Sequence, residues 1–154
     1  MKRRSVLILL AAALLGAPRL AFASLGADES TINADRVRMQ GALLGISRTD
    51  SYTVHELQSS TGTAVRQYVS PSGTVFAVAW TGPNTPDLRL LLGSYFDRFQ
   101  RAADAARRSH RGHGPLRIDD GELVVQIAGH QRSFSGVATI MRLVPAGIRA
   151  DAIR

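Results

Sequence analysis

Residues 75–96 read VFAVAWTGPNTPDLRLLLGSYF, and the spacing of the apolar residues changes in the middle of this stretch. Residues 74–80 are β-branched, aromatic or small at nearly every position, which predicts a central strand covered on both faces. From Leu88 onward the apolar residues recur at helical spacing. The residues between them, TGPNTPD at 81–87, therefore join a buried strand to an amphipathic helix.

The helical pattern that begins at Leu88 is the longest periodic feature of the chain. Its apolar residues follow an i, i+3, i+4 spacing through about five turns. They are Leu88, Leu91, Leu92, Tyr95, Phe96, Phe99, Ala102, Ala103 and Ala106. Arginine and aspartate occupy much of the opposite face. The pattern predicts one long amphipathic helix.

Four further runs are rich in β-branched and aromatic residues and are bounded by short turns that contain Gly or Pro. They cover residues 52–58, 63–69, 122–128 and 134–144. The first two, with residues 74–80, predict a three-stranded antiparallel meander, and the last two predict a hairpin. We therefore expect an α+β fold, in which an antiparallel sheet of about five strands carries the long helix on one face.

The first 23 residues, MKRRSVLILLAAALLGAPRLAFA, contain the three parts of a secretory signal peptide in order. A basic start precedes an apolar core of about a dozen residues, and Ala21, Phe22 and Ala23 form an A-x-A cleavage site. The leucine-rich core favours Sec export over the twin-arginine route. We expect cleavage between Ala23 and Ser24 and a periplasmic or secreted mature protein.

The rest of the chain divides into a lead-in at residues 24–51 and a single α+β domain at residues 52–154. Within the lead-in, residues 33–44 have apolar positions at loose helical spacing and predict a short helix, although Gly41 weakens the pattern. The polar residues before this helix are expected to be mobile. The tail at residues 145–154 is expected to be peripheral.

Composition excludes several classes of protein. The chain contains no cysteine, so a lipoprotein anchor, disulfides and thiolate catalysis are ruled out. Four of the 19 Lys and Arg residues lie in the signal peptide, and its removal lowers the formal net charge from +7 to +3. The remaining basic residues are all arginine, are mixed with acids and form no basic stripe, so we expect no nucleic-acid partner. After the signal peptide no apolar run is long enough to span a membrane.

The residues of TGPNTPD fit the start of a helix. Thr85 suits the N-cap, Pro86 the first helical position, and Asp87 the second, where a carboxylate favours the positive helix end. This interpretation makes the stretch a structural connection. The alternative is a ligand site at the helix amino terminus, where free amides attract anions. Its candidate binding residues are Thr81, Gly82, Asn84 and Thr85.

Three histidines raise the question of a metal centre. His110 and His113 are three residues apart in a glycine-rich loop, and His130 lies in a turn. A catalytic site would need a third ligand and an open position, which His130, Asp119 or Asp120 could supply. Because a loop does not fix the geometry of its side chains, we favour solvated histidines and expect neither a bound metal nor a cofactor.

Other catalytic patterns are weaker. His55 and Glu56 are neighbours in a predicted strand, so their side chains point to opposite faces and cannot form a dyad. Either could pair across strands with Arg66. The chain has no G-x-S-x-G, S-x-x-K or G-x-x-x-x-G-K motif, which argues against a serine hydrolase and a nucleotide enzyme.

A family resemblance rests on three long stretches in order and on PAGI at residues 145–148. They are YTVHELQSSTGTAVRQYVSP at 52–71, GTVFAVAWTGPNTPDLRLLLGSYFDRF at 73–99 and RGHGPLRIDDGELVVQIAGHQRSFSG at 111–136. The chain resembles exported bacterial proteins catalogued as domain of unknown function 2844. The resemblance covers nearly the whole mature chain and implies export and a single domain. It implies no activity, cofactor or catalytic residue.

These patterns favour a small exported module that binds or supports a partner in the cell envelope. The partner could be a protein, a glycan or a small ligand. The alternative is a metal-assisted or hydrolase-like periplasmic enzyme that uses His110, His113 and His130 with Asp119 or Asp120.

The signal peptide makes a direct prediction. We expect amino-terminal sequencing of the exported protein to read Ser24, Leu25 and Gly26, because signal peptidase cleaves after the A-x-A site. Recovery of Met1 at the amino terminus of envelope-associated protein would contradict export by cleavage.

Overall fold

The computed structural model describes residues 25–109, 114–149 and 152–153. They form one antiparallel sheet of seven strands, with helices on one face. The strands are β1 Ala42–Arg48, β2 Thr53–Gln58, β3 Ala64–Val69, β4 Val75–Gly82, β5 Leu116–Asp119, β6 Leu123–His130 and β7 Ser133–Ile140. The α-helices are α1 Ile32–Arg38, α2 Leu88–Leu92 and α3 Phe96–Ser109. The predicted α+β class is confirmed.

The sheet consists of two meanders that meet in its middle. The strand order is β1-β2-β3-β4-β7-β6-β5, and every neighbouring pair is antiparallel. After β4 the chain passes through α2 and α3 to the far edge, and β5, β6 and β7 then return toward the centre. As a result β7 pairs with β4, with Val78 opposite Ala138.

Strand β4 is buried on both faces over Val75–Trp80, as its unbroken apolar run predicts. On one face Val78 and Trp80 pack in a core with Leu91, Leu92 and Phe99 of the helices. The other face is covered by a smaller cluster of apolar and aromatic residues. Its buried members are Tyr68, Phe76, Ala77, Ala79 and Ile153.

The carboxyl-terminal tail covers that second face. Ile153 is buried, and Leu143, Val144 and Ile148 pack against the same cluster. The expectation of a peripheral tail at residues 145–154 is therefore wrong at Ile148 and Ile153. The reason is that β4 has two apolar faces but the helices cover only one of them, so another segment must remove the second from water.

The count of about five strands is too low, because β1 and β5 were not predicted. Residues 42–44 were assigned to a helix, but α1 ends at Arg38 and Gln40 turns the chain with a φ of 48°. Every residue of β1 is exposed, so neither of its faces must be apolar. Its sequence therefore lacks the alternation of polar and apolar residues that predicts a strand. β5 has only four residues, too few for a periodic signal.

The lead-in is packed on the sheet from Leu25 onward. Leu25 is buried, and its amide donates to the Leu91 carbonyl at 2.9 Å. The Gly26 amide donates to the Val75 carbonyl at 2.7 Å, and Ile32 belongs to the core. The expected mobile start is therefore wrong for the described part of the lead-in. The boundary at residue 52 does not separate a lead-in from the sheet, because β1 is one of its strands.

The predicted long helix is divided in two. The helix α2 ends at Leu92, a 3-10 turn covers Gly93–Tyr95, and α3 begins at Phe96. Gly93 adopts a φ of 49°, in the left-handed region that a glycine enters readily. The apolar stripe continues across this break, so spacing alone does not reveal it. Among the described residues, no helix is long and apolar enough to cross a membrane.

A charged network fastens α3 and the Gly93–Tyr95 turn to the strand hairpins. Arg98 donates to Asp120 and, from Nη1, to Glu122 at 2.5 Å. Arg142, which follows β7, donates from Nε to Glu122 at 2.8 Å and from Nη2 to the Tyr95 hydroxyl at 3.0 Å. Tyr95 in turn donates to Glu122 at 3.2 Å. These bonds join three separate parts of the chain.

The network lowers the pKa of both acids. Hydrogen bonds from Arg142 and then Arg98 hold the pKa of Glu122 below its ordinary value. Burial raises the pKa of Asp120, but donation from the Leu123 amide and from Arg98 lowers it further than burial raises it. The folded state therefore favours the ionised form of each acid more than the unfolded chain does.

This difference predicts a loss of stability in acid. The stability that these two ionised acids contribute is fully present above the pKa values of the unfolded chain. It is lost as the pH falls through the lower pKa values of the folded state. We expect the free energy of unfolding to decline from about pH 4.3 downward, and less steeply in Glu122→Gln. Urea unfolding at a series of pH values measures this. Asp50→Asn, at an exposed acid outside the network, is the control; equal slopes for all three proteins would contradict the prediction.

Candidate functional site

A groove of about 930 Å³ lies where the TGPNTPD segment meets α1, α2 and the turn between β2 and β3. Met39, Pro86 and Leu90 supply apolar surface, and most of the other lining residues carry polar side chains. The complete lining is Arg38, Met39, Ser59, Ser60, Thr61, Asn84, Thr85, Pro86, Asp87, Arg89, Leu90, Gly93 and Ser94. The groove therefore combines three segments that are far apart in the sequence, at residues 38–39, 59–61 and 84–94.

The segment after β4 is held against the start of β3. Thr63 is buried, and its hydroxyl donates to the Asn84 carbonyl at 2.8 Å. The side-chain amide of Asn84 donates from Nδ2 to the Thr61 carbonyl at 3.4 Å. A Cβ on Gly82 would lie 2.5 Å from the Cα of Thr63, so only glycine permits this approach. These contacts fix the wall of the groove before any ligand binds.

The cap of α2 is Asp87 and not Thr85. The Asp87 carboxylate accepts the amides of Arg89 at 2.9 Å and Leu90 at 3.3 Å, and the helix begins at Leu88. Asp and Thr are both good N-caps, so residue type alone did not distinguish them. Thr85, Pro86 and Asp87 therefore each lie two positions further before the helix than predicted. Because the Asp87 carboxylate already accepts the amides of Arg89 and Leu90, these two amides are not available to an anionic ligand.

The four candidate binding residues divide into two pairs. Asn84 and Thr85 line the groove, whereas Thr81 and Gly82 end β4, opposite Ser135 and Phe134 of β7. Sequence reasoning missed the other lining residues. Residues 59–61 read only as a turn, and their place beside α2 depends on the register of the sheet.

Several polar groups in the groove are available to a ligand. The hydroxyls of Ser60, Thr85 and Ser94 make no hydrogen bond to any described residue. By contrast, the hydroxyls of Ser59 and Thr61 bond to each other at 2.9 Å. Three hydroxyls without partners in one concave site indicate a surface suited to a polar ligand.

Two arginines give the groove a positive character. The Arg89 guanidinium lies 4.3 Å from the centre of the Phe96 ring, a cation–π contact that orients it. Its ion pair with Asp97, at 4.0 Å, is exposed and weak. Arg38 lies 3.8 Å from Asp35, which is buried and also accepts Gln67 at 3.0 Å. The single acid that lines the groove, Asp87, is committed to the helix cap.

The candidate catalytic residues do not form one centre among the described residues. His130 ends β6, while Asp119 ends β5 opposite Val124, near the other end of the β5–β6 pair. Val124 and His130 are six residue steps apart along the extended strand, a distance of about 20 Å. Asp120 is held by Arg98 and by backbone amides.

His110 and His113 lie outside the described residues, as do Ala23 and Ser24 at the predicted cleavage point. Within residues 25–109, 114–149 and 152–153, no group of three or more His, Asp or Glu side chains is arranged to hold a metal ion.

His55 and Glu56 point to opposite faces of β2, as predicted from strand geometry. The predicted pairing of Glu56 with Arg66 is confirmed, with Arg66 Nη2 donating at 2.9 Å. His55 is buried, and its Nε2 lies 2.7 Å from Glu29 Oε1. This His–Glu contact, between residues 26 positions apart, was not predicted. It holds the segment before α1 against the sheet.

The reassigned cap gives a stability prediction. Asp87→Ala removes the acceptor of two amides and should lower the free energy of unfolding by about 1 kcal/mol. Thr85→Ala should leave it nearly unchanged, because the Thr85 hydroxyl has no partner among the described residues. Denaturant unfolding of both variants measures this, and a larger loss for Thr85→Ala would restore Thr85 as the cap.

Comparison with known proteins agrees with the sequence resemblance. No curated protein and no solved structure matches the chain. The family described as protein of unknown function (DUF2844) matches residues 21–153, which is most of the chain and includes every described residue. The chain belongs to the DUF2844 family.

Proposed function

We propose that this protein is an exported binding module, and that the groove beside α2 binds an acidic, hydroxyl-bearing ligand of the cell envelope. The simplest such class is an acidic saccharide. The observation that carries the proposal is a preformed groove lined by Arg38, Arg89 and three hydroxyls that bond to no described residue, those of Ser60, Thr85 and Ser94.

The dimensions of the groove support a small ligand. Its volume of about 930 Å³ falls within the range of roughly 300–1,000 Å³ typical of small-molecule sites. The walls are fixed by Gly82, Thr63 and Asn84, so little ordering of the protein would oppose binding. Met39, Pro86 and Leu90 offer apolar contact to the non-polar face of a ligand.

The polar chemistry supports a ligand that carries both hydroxyls and carboxylates. The hydroxyls of Ser60, Thr85 and Ser94 can each donate and accept hydrogen bonds, as sugar hydroxyls do. Arg38 and Arg89 provide guanidinium groups, which match the two oxygens of a carboxylate. An acidic saccharide would satisfy both sets of groups at once.

Binding is favoured over catalysis by the state of the ionisable groups. Asp87 caps α2, and no histidine, glutamate, cysteine or tyrosine belongs to the described lining of the groove. General acid–base catalysis needs a group that can gain and lose a proton near the ligand. The alternative enzyme, based on His110, His113 and His130 with Asp119 or Asp120, has no supporting arrangement among the described residues.

Export remains part of the proposal. The order of basic, apolar and A-x-A segments in residues 1–23 supports Sec-dependent secretion and removal of these residues. The groove would then face the periplasm or the exterior, where acidic saccharides of the envelope are accessible.

A direct binding measurement tests the groove. We expect trigalacturonate to bind and the uncharged galactotriose to bind at least tenfold more weakly, because a charged hydrogen bond contributes about 1.5–3 kcal/mol. Isothermal titration of the purified protein gives both affinities. Arg89→Ala should weaken trigalacturonate binding about tenfold, and Thr85→Ala about fivefold, without a matching loss of stability.

The matched control is Arg101→Ala, which removes an exposed arginine of α3 outside the groove. It should leave the affinity unchanged. Failure of both sugars to bind, or equal losses for Arg89→Ala and Arg101→Ala, would contradict the proposed ligand class and site.

A further inference from the structure

The two edges of the sheet differ in how they are protected. β5, at one edge, has four residues, and its Arg117 and Asp119 are charged. Short, charged edge strands resist pairing with other chains. β1, at the other edge, has seven residues, no proline and only one charge, on Arg48. Among the described residues it pairs with β2 alone, so its outer row of backbone N–H and C=O groups is available.

The β1 edge is also apolar. Five large apolar side chains are exposed in the described structure, and four of them lie within residues 37–46. They are Val37, Leu43, Leu44 and Ile46, exposed by 59%, 47%, 55% and 43%. A concentration of this kind at one site marks an interaction surface, whereas isolated exposed residues do not.

The register places two of these side chains on one face of the sheet. Leu43 is opposite Leu57 and Ile46 is opposite His55, and both partners belong to the face that the helices cover. A bulge between Leu43 and Gly45 permits this, since without it residues three apart would face opposite sides. An added strand would therefore meet apolar side chains on that face.

The charges around β1 are positive at both of its ends. Arg36 precedes the strand, and Arg48 ends it without an ion-pair partner among the described residues. The acids of neighbouring elements are already engaged. Asp35 is buried and contacts Gln67 and Arg38, Glu29 contacts His55, and Glu56 pairs with Arg66. Asp50 is exposed, but it lies in the turn that leads to β2.

We propose that the free edge of β1 docks an extended segment of another protein, which adds an eighth strand to the sheet. The segment carries apolar side chains at alternate positions, beside Leu43 and Ile46, and acidic residues at its ends, beside Arg48 and Arg36. Main-chain hydrogen bonds supply the affinity, and the side chains select the partner.

Charge argues against a second copy of this chain as the occupant. In an antiparallel pairing centred on Gly45, Arg48 of one copy would lie opposite Ala42 of the other, toward Arg36. A parallel pairing would place Arg48 beside its own equivalent. Both arrangements bring arginines together, whereas an acid-ended segment neutralises them. Residues 42–48 line no part of the groove, so this inference does not depend on the proposed ligand.

A designed peptide tests the proposal. The probe is fluorescein-labelled Asp-Val-Thr-Val-Thr-Val-Asp, and its anisotropy is measured against the purified protein at low salt. The contact is about 23 Å long, so binding in the micromolar to millimolar range is expected. A peptide with lysine at both ends should bind about tenfold more weakly. N-methylation of the alternate peptide amides that would hydrogen-bond to β1 should abolish binding.

Two charge reversals locate the site. Arg48→Glu should remove the preference for acidic ends, while Arg117→Glu, on the opposite edge strand, should retain it; unchanged melting temperatures show that both variants fold. Absence of binding, indifference to N-methylation, or equal behaviour of the two variants would overturn the proposal. Dimerisation in sedimentation that Ile46→Ser abolishes would assign the edge to a second copy and overturn it as well.

Discussion

The fold depends on the burial of β4 on both of its faces. Residues 75–80 are all withdrawn from water, so each face of the central strand must be covered. The helices and the lead-in cover one face, and the aromatic cluster with the tail residue Ile153 covers the other. Gly136 is required because it has no side chain: a Cβ there would overlap the Trp80 ring. Lead-in, helices and tail are thus parts of one packing arrangement.

The groove follows from the way in which β4 ends. The strand continues to Gly82, whose contact with Thr63 turns the chain back over the start of β3, and Asp87 then starts α2. This path places polar residues of the connection beside the β2–β3 turn and the end of α1. The segment is therefore both a structural connection and a wall of the site. The sequence presented these two roles as alternatives.

The elements that bury one or both faces could be predicted from the sequence, because burial requires a recognisable pattern of apolar residues. The period change between Trp80 and Leu88 located β4 and the helices. The three-stranded meander and the later hairpin were recognised from β-branched and aromatic runs bounded by short turns. The sequence did not predict β1, because a strand exposed on both faces has no alternation. The break at Gly93 was hidden by an apolar stripe that continues through it. The groove depends on contacts such as Thr63 with Asn84, which follow from the register of the sheet and not from any local motif.

Residue-resolved hydrogen exchange tests the central role of β4 most directly. If its two-sided burial holds the fold together, the amides of β4 that donate within the sheet exchange only on global unfolding, and those of β1 exchange through local opening at much lower free energy. The account predicts that Gly136→Ala, which displaces Trp80, accelerates exchange in β4 and in the helices together. Protection of β4 no greater than that of β1, or an effect of Gly136→Ala confined to β7, would contradict it.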